Sequence, residues 1–119
     1  QYGHLVGDRV LTSVAHRLRD GLRETDLAVR WGGEEFLLVL YACTDTEALR
    51  IADNLREGIA GHVPCPDVPA LRVTVSIGVS LFDGGDSFER AIGRADDALY
   101  EAKSAGRNSV EIETPVPHA

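Results

Sequence analysis

The hydrophobic and polar positions of this chain repeat with periods that predict three helices and four strands. Apolar residues spaced three and four apart predict amphipathic helices over about residues 4–22, 48–59 and 88–102. Continuous apolar runs, or alternation of apolar and polar residues, predict strands over residues 27–31, 36–41, 71–82 and 109–112. The chain therefore combines helices with a sheet, on which the second helix is expected to pack.

Residues with known capping and turn preferences mark where these elements begin and end. The run Thr44-Asp45-Thr46-Glu47 has the form of a capping box, which starts the second helix. Gly106 supplies a cap at the end of the third helix. Residues 61–69 contain three of the five prolines and are expected to form a loop, and residues 114–119 are expected to be a disordered tail. The first helix starts almost at the first residue, which is typical of an element cut from a longer chain.

The hairpin between the first two strands carries the clearest candidate site. Gly32-Gly33 separates these strands and is expected to supply the positive φ angles of a tight turn. Glu34 and Glu35 follow at once, and carboxylate oxygens are ligands that Mg²⁺ prefers. A turn without Cβ atoms also lets a phosphate approach backbone N–H groups. Two interpretations are open at this point: a phosphate and metal site, or a solvated acidic hairpin whose glycines serve only the turn.

Composition and charge narrow the classes of protein to which the chain can belong. With 119 residues and 44% hydrophobic content, the chain can bury one core, and we expect a single domain. Its net charge of -7 and pI near 4.9 argue against binding a DNA or RNA polymer, which requires clustered Lys and Arg. No apolar run reaches membrane-spanning length and no signal-peptide pattern is present, so we expect no membrane contact and a cytoplasmic location. Cys43 and Cys65 lack the spacing of a zinc site, and a disulfide between them is not expected.

Three groups of charged residues each allow an ordinary structural role beside a functional one. Asp8 belongs to the polar face of the first helix, where a weak contact with its own helix would explain it. Arg23 and Asp26 are typical of a solvated surface pair, but such a pair can also grip a guanine and a phosphate. Lys103 and Arg107 flank the end of the third helix, where cations either complement the helix dipole or hold phosphates.

Five segments of the chain, taken in order, form a recognisable set of motifs. They are YGHLVGD (residues 2–8), RETD (23–26), RWGGEEF (30–36), VSIGV (75–79) and ADDALYEAKSAGRN (95–108). In order and spacing they resemble the GGDEF domain of bacterial diguanylate cyclases, with the signature pentapeptide in its GGEEF variant. The resemblance runs to about residue 112, so the domain is expected to span residues 1–113.

The resemblance implies an α+β fold similar to the palm of class III nucleotide cyclases and polymerases, with a mostly antiparallel central sheet flanked by helices. It also implies a reaction in which two GTP molecules, one on each of two facing domains, give cyclic di-GMP and two pyrophosphates. Each domain would supply half of the active site in a homodimer, and two Mg²⁺ ions would neutralise the phosphate charge. An upstream sensor or regulatory domain is expected in the parent protein.

The same resemblance assigns roles to individual residues of this chain. Glu34 would be a metal ligand that helps to deprotonate the 3′-hydroxyl, and Glu35 would support the metal site. Gly32 and Gly33 would give the nucleotide room. The remaining substrate-binding positions are Asp8 for the guanine edge and, for the triphosphate, Lys103 and Arg107.

An inhibitory product site is also implied. Arg23 and Asp26 match the family's RxxD motif, which binds a dimer of cyclic di-GMP and implies feedback inhibition. The family often adds a second arginine from the next helix. Asn54 takes that position here, and Arg50, one turn earlier, is its candidate substitute.

One feature of the resembled family is missing from this sequence. A complete member begins with a strand that carries a metal-binding Asp in a D-x-D-x-F-K-like run, followed by an Asn-Asp just before the position of Gln1. That strand lies in the sheet beside the signature hairpin. We therefore expect this chain alone to be inactive and to derive from a longer diguanylate cyclase. Two other hypotheses stay open: a receptor that binds cyclic di-GMP or GTP without turnover, and a structural dimerisation domain.

Overall fold

A computed structural model describes residues 3–66, 68–82, 85 and 87–113, with only the backbone described for residues 3–6. The three predicted helices and four predicted strands are all present within these ranges. The expected disordered tail, residues 114–119, lies outside the described residues. In chain order the elements are α1 (Gly3–Gly21), β1 (Leu27–Gly32), β2 (Glu35–Tyr41), α2 (Asp45–Ala60), β3 (Ser76–Phe82), α3 (Phe88–Ser104) and β4 (Val110–Glu113).

The four described strands form one sheet in the order β1-β2-β3-β4. The expected α+β fold with helices flanking a central sheet is confirmed, but the expectation of a mostly antiparallel sheet is wrong. Only the hairpin pair β1–β2 is antiparallel, whereas β2–β3 and β3–β4 are parallel. The reason lies in the connections: a short turn reverses the chain between β1 and β2, while α2 and α3 return it to the same end of the sheet. Within the described sheet, β3 lies directly beside β2 along its whole length.

Strand β3 begins later than the alternation of residues 71–82 predicts. It starts at Ser76, which pairs with Glu35, the first residue of β2. Residues before Ser76 extend beyond Glu35, where β2 begins, so they have no β2 residue with which to pair. Arg72 instead donates a hydrogen bond of 2.7 Å to the carbonyl oxygen of Pro69. The alternating pattern is therefore real, but strand pairing stops where the neighbouring strand stops.

The helices cover both faces of the sheet. The even-numbered side chains of β2 (Phe36, Leu38 and Leu40) pack with residues of α1 and α2 in the larger core. Leu37 on the opposite face packs with Ala95 and Leu99 of α3. Thr44 caps α2, and its side chain accepts from the Glu47 amide in the capping box that the sequence predicts. Among the described residues, no helix has the length and apolar character needed to cross a membrane.

Small residues bring α3 close to β3. The sequence pattern suggests that Ser76, Gly78 and Ser80 form a polar face, but the structure buries that face under α3. Gly78 lies against the helix backbone, and the hydroxyl of Ser80 donates a hydrogen bond of 2.6 Å to the carbonyl oxygen of Ala91. The helix presents small side chains in return, namely Ala91, Ala95, Ala98 and Ala102. This close packing fixes where the end of α3 lies relative to the hairpin.

Candidate functional site

The hairpin between β1 and β2 turns through Gly33 and Glu34. Gly32 pairs with Glu35, and the register shifts between Arg30 and Gly32, so Trp31 is the extra residue of a bulge. The expectation that Gly32 and Gly33 have positive φ angles is wrong, because neither is among the residues with a positive φ. A bulge increases the local twist of a strand, which lets the turn close without left-handed residues.

The two hairpin glycines have different roles in the structure. A Cβ atom on Gly32 would lie 3.0 Å from Oε1 and 3.3 Å from Cδ of Glu35, so this glycine makes room for that carboxylate. A Cβ on Gly33 would have no heavy atom within 4 Å. Space for a ligand therefore exists at Gly33, while Gly32 lets the Glu35 side chain fold back over the turn.

The carboxylate of Glu35 meets both cations at the end of α3. Its Oε2 lies 3.2 Å from Nζ of Lys103 and 3.6 Å from Nη1 of Arg107. The Glu35 side chain is 22% exposed, whereas Lys103 and Arg107 are 34% and 62% exposed. The structure thus brings Glu35 together with two cations that lie about 70 positions later in the sequence. A pair of cations that face one oxygen is suited to bind an anion with several oxygens, such as a phosphate chain.

The backbone after α3 aims Arg107 at this cluster. The amide of Gly106 donates to the carbonyl of Lys103 at 3.2 Å, and the amide of Arg107 donates to the carbonyl of Ala102 at 3.1 Å, which is the Schellman pattern of a helix end. Gly106 has a φ of 111°, so the predicted cap at this glycine is confirmed. Arg107 itself has a φ of 65° and Asn108 has a φ of 42°, which are uncommon values for residues other than glycine.

A contact from α2 supports this strained segment. Nη1 of Arg56 donates a hydrogen bond of 3.1 Å to Oδ1 of Asn108, and Nε of Arg56 donates one of 2.9 Å to Asp53. Sequence reasoning did not select Arg56 or Asn108 as site residues. For Asn108, the signal was its position after Gly106 and Arg107, since asparagine tolerates left-handed backbone better than most residues. For Arg56 the sequence carried no signal, because the contact spans 52 positions.

The surroundings of Glu34 differ from those of Glu35. Glu34 borders a small cavity of about 60 Å³ together with Val10 and Val14 of α1 and residues 73–75. Its backbone carbonyl accepts a hydrogen bond of 2.9 Å from the amide of Ser76. Glu34 is exposed, and it has no cationic partner among the described residues. The adjacent carboxylates are therefore not equivalent, because one is paired with cations and the other is available to a ligand.

Two further predicted features are only partly assembled. Asp8 is exposed on α1, where its carbonyl accepts a hydrogen bond of 2.9 Å from the Thr12 hydroxyl, and it forms no ion pair with Lys103 or Arg107.

Within the described ranges, no group of three or more His, Cys, Asp or Glu side chains is arranged to hold a metal ion. Cys43 and Cys65 are free thiols. Any metal here would have to combine one or two carboxylates with ligand oxygens, which is how Mg²⁺ is often held.

Arg23 and Asp26, the predicted inhibitory pair, form a closed ion pair between α1 and β1. Nε and Nη2 of Arg23 donate to the two Asp26 oxygens at 3.0 and 2.8 Å, and Nη2 also donates to the carbonyl of Tyr41 at 2.8 Å. The Asp26 side chain has 0% exposure, while Arg23 is 47% exposed. Burial raises the pKa of Asp26, but the hydrogen bonds from Arg23 outweigh this effect and hold that pKa below its usual value.

The inhibitory pair lies at the edge of an open groove of about 610 Å³ between α1 and β1. Arg19 and Arg30 also line this groove. Arg50 lies on α2 and is not among the residues that line this groove. Asn54 instead lines a separate groove between α1 and α2.

Comparisons with known proteins agree with this architecture. A family described as diguanylate cyclase, GGDEF domain, matches residues 1–109. The chain is 45% identical over 109 residues to diguanylate cyclase DgcM of Escherichia coli, a match that covers 92% of this chain and 26% of that protein. The chain thus spans about a sixth to a quarter of the length of the curated relatives it matches.

Two solved structures show the same fold. The active GGEEF domain of a diguanylate cyclase from Vibrio cholerae has a TM-score of 0.78 and 32% identity, over 98% of this chain and 74% of that one. The GGDEF domain of DgcB from Caulobacter crescentus, in complex with c-di-GMP, has a TM-score of 0.75 and 27% identity, over 93% of this chain and 67% of that one. From its motifs, its fold and these matches, the chain belongs to the GGDEF-domain family of diguanylate cyclases.

Proposed function

We propose that this domain is one half of a diguanylate cyclase active site, which condenses two GTP molecules into cyclic di-GMP and two pyrophosphates. The observation that carries the proposal is the convergence of Lys103 and Arg107 on the signature hairpin, 3.2 and 3.6 Å from Glu35. Paired cations next to an open backbone turn suit a triphosphate, and Gly33 leaves the turn open. The activity is proposed for the whole protein, since the curated relatives are about four to six times as long as this chain.

In the proposed reaction, the 3′-hydroxyl oxygen of each GTP forms a bond to the α-phosphorus of the other. The bond between the α-phosphorus and the bridging oxygen breaks, pyrophosphate leaves, and the hydroxyl proton passes to the Glu34 carboxylate. Lys103 and Arg107 hold the β- and γ-phosphates and so keep each nucleotide in line for attack. Asp8 accepts hydrogen bonds from the guanine edge. Because each chain has one such hairpin, two chains must face each other as a homodimer.

The donor set of the hairpin suits Mg²⁺. Glu34 is an exposed carboxylate without a cation partner among the described residues, and Glu35 is a second carboxylate beside it. Mg²⁺ commonly uses one or two carboxylates and completes its coordination with water and substrate phosphates. When bound, the two Mg²⁺ ions would neutralise charge on the phosphate oxygens.

The groove beside Arg23 and Asp26 is proposed as the inhibitory product site, with Arg50 as an additional cation. Support comes from the Arg23 guanidinium, which is 47% exposed although Asp26 engages two of its nitrogens. Arg23→Ala should weaken cyclic di-GMP binding in isothermal titration calorimetry by about tenfold, the effect of losing a charge-assisted contact. Unchanged affinity would remove this residue from the product site. Arg90→Ala, at an exposed position of α3, is the matched control.

The cyclase proposal is tested by pyrophosphate release from GTP in the whole protein. Lys103→Ala should lower kcat/KM by about 100-fold or more, because the lost contact to the phosphate chain is charge-assisted and strengthens at the transition state. Arg90→Ala on the same helix is the control for a lost positive charge and should retain the wild-type rate. A Lys103→Ala enzyme with wild-type kcat/KM would refute the assignment. GTP or cyclic di-GMP binding without pyrophosphate release would favour the receptor hypothesis instead.

A further inference from the structure

The two cations assigned to the triphosphate are already occupied by a side chain of the same domain. Nζ of Lys103 and Nη1 of Arg107 both approach Oε2 of Glu35, at 3.2 and 3.6 Å. A triphosphate that binds these cations must therefore replace this carboxylate oxygen. In this arrangement the Glu35 carboxylate is the partner of both cations.

The position of Glu35 is fixed by the surrounding backbone. Glu35 pairs with Gly32 in β1 and with Ser76 in β3, so neighbouring strands hold its backbone on both sides. The absence of a Cβ on Gly32 leaves the space into which the Glu35 carboxylate folds. Neighbouring Glu34 has no cation partner among the described residues, although it carries the same charge. The contact therefore belongs to one particular carboxylate and is not a general property of an acidic hairpin.

We propose that Glu35 is a positioning residue that acts as an exchangeable counter-ion for Lys103 and Arg107. This inference rests on the proposed function, since it assumes that these two cations bind phosphate. Without nucleotide, Glu35 holds the two cations, which would otherwise repel each other, beside the hairpin. When a triphosphate binds, its oxygens take over the cations and the Glu35 carboxylate is released toward the metal site. No covalent bond forms or breaks in this exchange.

The exchange also explains how the site would reject small anions. The Coulomb energy of an anion with two cations rises with its charge, so a triphosphate outcompetes a single carboxylate more readily than inorganic phosphate does. The ion pairs are partly exposed, so each opposes binding only modestly. Glu35 thus sets a threshold of anionic charge that a ligand has to exceed. Removing its charge should make the site both tighter and less selective.

The test measures binding of inorganic tripolyphosphate to the whole protein by isothermal titration calorimetry, in EDTA so that no metal contributes. Glu35→Gln keeps the shape of the side chain and should tighten binding by about fivefold, since two modest ion pairs no longer compete. It should also bind inorganic phosphate more tightly than the wild type does. Glu34→Gln removes the same charge from the next residue and should change either affinity by less than about twofold, because that charge is exposed and screened.

The outcomes separate the counter-ion role from the proposed function. If Glu35→Gln binds tripolyphosphate no more tightly than the wild type, while Lys103→Ala loses binding, the counter-ion role is wrong and the phosphate site stands. If Glu34→Gln tightens binding as much as Glu35→Gln, only total charge matters and the specific role of Glu35 is refuted. If Lys103→Ala binds tripolyphosphate like the wild type, the phosphate-binding assignment itself fails. A merely structural role of Glu35 would weaken binding on substitution, so a gain in affinity distinguishes the two.

Discussion

Replacing Gly78 with alanine should push α3 away from the sheet. A Cβ at this position would overlap the carbonyl oxygen of Ala95 and the amide nitrogen of Leu99, and it would lie 2.8 Å from Cα of Leu99. These are backbone atoms of α3, so no change of side-chain rotamer can relieve the overlap. The helix as a whole has to move, and with it the end that carries Lys103.

The size of the effect follows from two opposing contributions. Overpacking a core costs about 1–3 kcal/mol, and we expect about 3 kcal/mol because only backbone can yield. Alanine restricts the unfolded chain more than glycine does, which returns about 0.5–1 kcal/mol. The net loss in the free energy of unfolding is therefore about 2 kcal/mol. With a typical urea dependence of about 1–3 kcal/mol per molar, the unfolding midpoint should fall by about 1 M.

Urea unfolding can be followed by the fluorescence of Trp31, the single tryptophan, which lies in the signature hairpin. Gly93→Ala is the matched control, because Gly93 belongs to α3 and a Cβ there would meet no heavy atom within 4 Å. This control should stabilise the protein by up to about 1 kcal/mol, the helix preference of alanine over glycine. Opposite signs for the two variants are expected. A Gly78→Ala protein with the wild-type midpoint would refute the close packing of α3 on β3.

Three further predictions concern stability. Asp26→Asn should destabilise the domain at neutral pH by about 1 kcal/mol through the lost ion pair with Arg23. The pKa of Asp26 is depressed in the folded state, so the difference in unfolding free energy between variant and wild type should be complete above about pH 4. It should vanish as the pH falls through the folded pKa, which urea titrations at several pH values would show. Asn108→Ala should cost about 1 kcal/mol in thermal unfolding, because alanine is disfavoured at a φ of 42°. Asn108→Gly should recover most of this loss, although it also lacks the contact with Arg56. Equal stability of the two variants would exclude backbone strain at this position. Thr44→Ala should cost about 1 kcal/mol by removing the cap of α2, and an unchanged melting temperature would contradict the capping box.

Local features of the fold could be predicted because they depend on neighbouring residues. Helix and strand periodicity located every described element, and the capping box at Thr44 and the glycine after α3 were both identified. The directions of the strands could not be derived in this way. They depend on which strands become neighbours, and the mostly antiparallel sheet implied by the family resemblance was wrong for β2–β3 and β3–β4. The start of β3 was misplaced for the same reason, since the end of β2 decides it.

The candidate site shows the same division between local and long-range information. The positions of Glu34, Glu35, Lys103 and Arg107 were identified from motifs, but motifs do not show which groups pair. The structure separates the adjacent carboxylates, because Glu35 meets both cations and Glu34 meets neither. The support that Arg56 gives to the end of α3 was also missed, since a contact between distant positions leaves no local pattern.

In the proposed function, the signature hairpin and the cations at the end of α3 together convert GTP into cyclic di-GMP. The most direct measurement is chromatographic identification of the product after the whole protein is incubated with GTP and Mg²⁺, with a Glu34→Ala variant in parallel. We expect cyclic di-GMP from the wild-type protein and none above background from Glu34→Ala. Wild-type amounts of cyclic di-GMP from the variant, or no cyclic di-GMP from a wild-type protein that still binds GTP, would refute the proposed function.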